Sequence, residues 1–272
     1  MNWRANRTLV YKDLKMVAQS RFVLLPIILV PVLILIVLPG GIILTSRNAD
    51  MASSSMSDIK VFLDKLPAGL LSEFGNLTET QQLIVALVLY FFAPFYLIVP
   101  LMVASVIAAD SFAGEKERKT LEALIYTPTT DVELFTGKIL SALIPAVIVS
   151  LVGFIGYGLV ANVLAWPVMG RVFFPNLAWV VLVIWVTPAA AGLGLSAMVV
   201  VSSKVRTFQE AYQLGGMVVI PIVLLVLGQA GGVIYFSVQM VLLIGLILWL
   251  IDLGLMWYGV KTFRRGELIA QL

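Results

Sequence analysis

The chain alternates long runs without charge with short, crowded polar stretches, and the length of each run limits what it can be. A helix rises about 1.5 Å per residue, so about 20 apolar residues are needed to cross roughly 30 Å of hydrocarbon. Six runs are long enough, over 22–44, 83–109, 138–161, 176–201, 211–230 and 233–260. The "GQAGG" at 228–232 leaves one edge open: it either ends the fifth span or begins a re-entrant pair of short helices, whose backbone would need shelter from lipid. The pattern predicts an all-α, polytopic membrane protein, with residues 1–272 forming one transmembrane domain of six transmembrane helices. Ahead of the first run, Trp3, Val10, Leu14 and Val17 fall on one helical stripe, with Arg4, Lys12 and Lys15 away from it. That spacing predicts an amphipathic helix over 1–21 lying along the membrane interface; a loosely bound basic tail is the alternative. Residues 45–82 make a polar first loop that has room for a short helix but not for a domain of its own.

Composition agrees with this reading. The chain is 61% hydrophobic and 12% charged, and its mean hydropathy is +1.04, whereas soluble domains are about a quarter charged. Cysteine and histidine are both absent, which excludes disulfides, thiolate nucleophiles, zinc or haem ligation through those residues, and every Ser-His or Cys-His pair. No catalytic, cofactor-binding or metal-ligating set is expected on this chain. The net charge of +3 points to loop bias rather than to nucleic acid. Lys and Arg divide fourteen against four between the two sets of alternate loops, which places both termini and the 110–137 segment in the cytoplasm of a multi-pass cell-membrane protein. The first span, preceded by five basic residues and followed by no clear small-residue cleavage site, is expected to remain as an anchor.

Proline recurs through the first five spans, at Pro26, Pro31, Pro39, Pro94, Pro100, Pro145, Pro188 and Pro221, and each is expected to bend its helix. In "PAAAGLGLSA" the small residues stand four apart (Ala190/Gly194, Gly192/Ser196), a spacing that lets neighbouring helices approach closely. Tyr90, Phe91, Phe92, Phe95 and Tyr96 either line a path for an amphiphile or pack and face lipid; packing is the simpler reading.

Ten charged side chains crowd between Asp110 and Lys138. The pairs Glu115/Lys119 and Arg118/Glu122 stand four apart, which predicts a short helix from Glu115 to Tyr126 ended by Pro128. Leu121, Leu124 and Ile125 gather on its apolar edge. In "TTDVE", Thr130 and Glu133 offer a capping box for a second helix that runs through Gly137 and Lys138 into the third span. Such a segment is a rigid knuckle, although a solvated hairpin whose charges only prevent insertion would have the same composition.

The series "GEKERKTLEALIYTPTTDVELFTGK" resembles the cytoplasmic motif of the ABC type-2 exporter permeases: an acidic-basic run, Thr-Leu-Glu, apolar residues, Pro, a polar turn, Glu, then Gly-Lys. Glu117, Thr120, Leu121, Glu122, Pro128, Glu133, Gly137 and Lys138 occupy those places here. Lys119 stands where the family usually has Gly, and Asp131 stands near a common basic position. The resemblance implies that the knuckle is a coupling helix seated on a cytoplasmic ABC ATP-binding subunit, with Glu115 and Arg118 adding registered polar contacts and the loop 202–212 a second, weaker one. It implies two copies of that subunit, a second permease protomer in a homodimer or heterodimer, and no cofactor on this chain, with ATP and Mg held by the partner. A phosphate-binding loop needs a Gly separated by four residues from Gly-Lys-Ser/Thr; Gly137-Lys138 has Val132 and Ile139 at the defining positions, so hydrolysis is expected elsewhere and the chain is not expected to be an enzyme. The expected cargo is hydrophobic or amphiphilic: peptide, lipid or drug.

Two other functional classes stay open. A stand-alone secondary transporter or channel would need intramembrane ionisable groups, and the spans contain one acid, Asp252. That residue is either an ion site or an acid turned into the bundle and bonded to a neighbour's hydroxyl or backbone. A non-transporting anchor could use the same knuckle to recruit an ATPase. An intramembrane aspartyl enzyme would need a second acid, which the spans lack.

Overall fold

The computed structural model describes residues 3–47, 77–120, 131–231, 234 and 236–262. Among them every regular element is helical. A first helix, α1 (Trp3–Gln19), is followed by six of membrane length: α2 (Val23–Ser46), α3 (Glu79–Glu117), α4 (Asp131–Met169), α5 (Leu177–Lys204), α6 (Phe208–Gln229) and α7 (Val238–Thr262). Their apolar stretches are unequally enclosed. In α3 and α5, 78% and 67% of the most apolar stretch is buried within the chain, against 17–33% in the other four. Two helices therefore form the core and four surround it, turning side chains such as Leu25, Ile155, Leu224 and Leu250 outward. Apolar residues on the outside and inside alike are what lipid demands.

The core helices touch because their side chains are small. A Cβ on Gly194 would lie 2.3 Å from the backbone oxygen of Leu101 in α3, and one on Gly192 would lie 2.2 Å from a carboxylate oxygen of Asp252 in α7. Only glycine permits either approach. The small-residue run of α5 is thus the seam on which α3 and α7 both pack, as its spacing predicts.

Three of the span prolines follow widened turns. π-helical segments occupy Leu33–Val37, Ala86–Phe91 and Leu182–Val186, just ahead of Pro39, Pro94 and Pro188. A proline has no N–H to donate, and its ring collides with the carbonyl four residues back; a wide turn relieves that collision and leaves carbonyls without helical partners. In α3 three successive carbonyls are taken by side chains of three other helices or their flanks. Tyr157 donates its hydroxyl to Val88 O at 2.6 Å, Trp179 Nε1 donates to Leu89 O at 2.7 Å, and Gln229 Nε2 donates to Tyr90 O at 2.7 Å. Around these bonds Tyr157 and Trp179 stack at 4.9 Å, and Phe174 meets Trp179 edge-on at 4.9 Å. Tyr90, Phe92 and Tyr96 are buried, Phe92 and Tyr96 in this same aromatic cluster, so most of the α3 aromatics pack rather than line an open path.

Between α6 and α7 the chain breaks. Gly231 forms a turn, and Ile234 N bonds back to Gly228 O at 3.1 Å before α7 begins at Val238. The 45–82 loop, apart from its ends, lies outside the described residues, as do Leu121, Glu122, Leu124, Ile125, Pro128 and Thr130 of the knuckle.

Candidate functional site

The charged end of α3 is built on that helix's second widened turn, Asp110–Gly114, after which the helix runs only to Glu117. Lys119 then adopts φ +57°. This left-handed backbone ends the helix, so no single helix runs from Glu115 through Tyr126. Glycine enters this region without strain and other residues at a cost of about 1–2 kcal/mol. Lys119 takes this left-handed turn with a full side chain, at the position where the motif resemblance leads one to expect Gly. Thr120 Oγ1 donates to Glu115 O at 3.3 Å and satisfies one of the carbonyls left open by the helix end.

Glu115 does not pair with Lys119 as its spacing predicts, and Glu122, the partner predicted for Arg118, lies outside the described residues. Glu115 is 0% exposed and receives two ammonium groups from distant parts of the chain: Lys12 Nζ on Oε1 at 2.6 Å and Lys138 Nζ on Oε2 at 2.5 Å. Lys138 is itself 1% exposed and also donates to Ser111 O and, at 3.2 Å, to Ser111 Oγ. Its ammonium lies 5.1 Å from the centre of the Phe112 ring. Asp13, buried on α1, accepts from Ser111 Oγ at 3.1 Å and Ser141 Oγ at 3.0 Å. Arg118 Nη1 meets Asp110 Oδ1 at 2.9 Å. A buried charge is tolerable only when it is paired and its remaining hydrogen-bonding capacity is used. Here α1, α3 and α4 each contribute part of that pairing, so none can move alone without stripping a partner from another.

Two further bonds bring in the α5–α6 connection. Lys116 Nζ donates to Val205 O at 3.3 Å, and Glu117 accepts from Phe208 N at 2.8 Å. The start of α6 is capped by Thr207, which accepts from Glu210 N at 3.2 Å. The weaker of the two loops singled out in the sequence is thereby bonded to the knuckle.

The candidate residues separate into two layers. Glu115, Glu133, Gly137 and Lys138 are buried; Glu117, Arg118 and Thr120 stand at the surface. The pattern of apolar residues alone did not single out Asp13, Lys12, Asp110, Ser111 or Ser141. One signal was present: Asp13 follows Val10 by three residues and precedes Val17 by four, so it lies on the apolar stripe of an otherwise basic helix.

Asp252 lies apart, in α7. It is 6% exposed and turned onto Gly192 of α5, while the Ser196 hydroxyl on the same helix donates to Leu193 O at 3.3 Å. The Oδ1 of Asp252 has no hydrogen-bond partner among the described residues. Nor do those residues hold any group of three or more acids placed to ligate a metal.

Six apolar helices, four of them around a close-packed pair, with a charged end bonded through α1, define a polytopic, multi-pass membrane protein. The family follows from the whole sequence: the profile of the ABC-2 family transporter proteins matches residues 7–262, and the chain belongs to that family. It is accordingly a permease of an ABC transporter, a class that works in the membrane with an ATP-binding subunit. No individual curated protein matches the chain significantly.

Proposed function

We propose that this chain is the permease subunit of an ATP-driven exporter for hydrophobic or amphiphilic cargo. It carries no nucleotide site. Two cytoplasmic ATP-binding subunits hold ATP and Mg, and two permease protomers form the pathway. Both termini face the cytoplasm, and α1 lies along the inner interface. The exposed edge at Glu117, Arg118 and Thr120 is the surface that the ATP-binding subunit pushes, and Leu121, Glu122 and Pro128, which lie outside the described residues, are assigned to the same contact from the sequence motif. Glu115 and Lys138, with Glu133 and Gly137 beside them, form the base that carries the push into α1 and α4.

The observation that supports this reading is the Lys12–Glu115–Lys138 bridge beneath an exposed charged edge, in a chain of the ABC-2 family. An end built only to stay out of the membrane needs exposed charge. It has no need of buried ion pairs shared among three helices. The test is reconstitution with the cognate ATP-binding subunit in proteoliposomes. Glu117→Lys and Glu122→Lys are expected to abolish ATP-driven transport while leaving insertion and basal ATP hydrolysis in place. Full transport by both variants would sink the assignment.

A second reading, a stand-alone ion-coupled carrier, rests on the unpaired oxygen of Asp252. On the exporter reading Asp252 is structural, and Asp252→Asn leaves ATP-driven transport unchanged. Transport that runs without ATP and vanishes in Asp252→Asn would favour the carrier.

A further inference from the structure

Two cavities are lined by residues of both α3 and α6 and share Tyr212. The outer, of about 550 Å³, lies beside the knuckle, with Val23 and Pro26 of α2 as an apolar wall and Asp110, Glu117 and Arg118 of α3 as a charged one. The inner, of about 310 Å³, is lined by Leu101, Met102 and Val106 of α3, Met198 of α5, and Gly216 and Val219 of α6. Tyr212 borders both. Its ring stacks on Phe208 at 6.0 Å and 26°, so an aromatic pair stands where the polar chamber gives way to the apolar one.

The charges of the outer chamber do not cancel. Asp110 is matched by Arg118 at 2.9 Å, which leaves Glu117 as the net charge among the described residues lining it. Glu117 accepts a neutral backbone N–H from Phe208, and no ion pair of it with a described residue is found. A carboxylate beside two stacked aromatic faces suits an ammonium group, which both attract. The inner chamber offers mostly apolar side chains, with Ser105 and Gln213 as the polar part of its lining, and one open wall. A Cβ on Gly216 meets nothing within 4 Å, and its helical backbone would accept any L residue there.

We propose that these two cavities form a two-chamber binding site for a cationic amphiphile, the ammonium head held by Glu117 against Phe208 and Tyr212 and the aliphatic tail laid past Tyr212 into the chamber beside Gly216. Only the direction of travel, not the binding, rests on the exporter reading. Head and tail are recognised by different residues, so they can be removed separately.

The test uses the full-length permease, without ATP, in nanodiscs of neutral phosphatidylcholine, with dansylaminododecylamine as the fluorescent probe and empty nanodiscs as the background. Dansylaminododecanoate and dansylaminobutylamine vary the head and the tail. The expected order is long amine over long carboxylate and over short amine. Glu117→Gln keeps the acceptor for Phe208 N and removes the charge; it should weaken the long amine roughly five-fold and leave the carboxylate unchanged. Gly216→Leu adds an aliphatic side chain at the wall of the inner chamber; it should weaken the long amine roughly ten-fold and leave the short one unchanged. Equal binding of amine and carboxylate, a head preference that survives Glu117→Gln, or no effect of Gly216→Leu would each overturn the proposal. The exporter reading fails by a different result: normal probe binding with no ATP-driven movement of any cargo after reconstitution with the ATP-binding subunit.

Discussion

The helix α3 uses one backbone device twice and supports it in two different ways. At Ala86–Phe91 the widened turn exposes carbonyls that are capped by neutral donors, from Tyr157, Trp179 and Gln229. At Asp110–Gly114 the carbonyl of Ser111 is capped by an ammonium, from Lys138, which is itself held by Glu115. Neutral donors close the first turn, deep among aromatic rings, without bringing charge into an apolar layer. The second turn lies where the chain meets its polar segments, and there paired charge is sustainable. Neutral bonds hold a shape in place. Charged ones also make every member dependent on the others, because loss of one partner strands an ion. A fixed frame is useful at the first turn, and a jointly moving unit at the second.

The sharpest way to break this comparison is to strand a charge. Lys138→Met leaves Glu115 with Lys12 alone and should cost about 3–5 kcal/mol, seen as a large fall in the melting temperature in detergent. The double variant Glu115→Met/Lys138→Met should recover much of that loss, since no ion is then left without its main partner. If the single change proved as mild as the double one, the two turns would not differ in kind.

A neutral bond should cost less. Trp179→Phe keeps most of the ring packing but leaves Leu89 O without its donor, a loss of about 1–3 kcal/mol. A loss as large as that of Lys138→Met would place the two turns on the same footing. The smallest expected effect has the opposite sign. Lys119→Gly relieves the left-handed backbone and should stabilise the chain by roughly 1 kcal/mol, read as a modest rise in melting temperature. Lys119→Val should lower it. A neutral outcome for both would mean that the knuckle turns differently in solution.

Much of the fold was legible in the sequence. The apolar runs are long enough to dictate spanning helices, and the small residues of α5 stand at the spacing that close contact needs. The charged end was legible in part. Its residues were identifiable, but their partners were not: Glu115 has an apparent partner four residues on in Lys119, yet pairs with Lys12 and Lys138, 103 and 23 residues away. Local spacing describes a helix surface that stays in water, and burial of Glu115 removes that premise. Asp13 was overlooked because an acid on an apolar stripe reads as an interruption until the opposing serines are in place.

Hydrophobic length and residue size acted locally, along single segments, and so the membrane class, the number of long apolar helices and the glycine seam were decided before any two helices met. Which charges became buried, which proline-freed carbonyls found donors, and where a chamber remained between α3 and α6 were decided only by packing. Each of those outcomes requires groups far apart in the chain to share one small volume, and the energy of a charge or an open carbonyl there depends on what else occupies it.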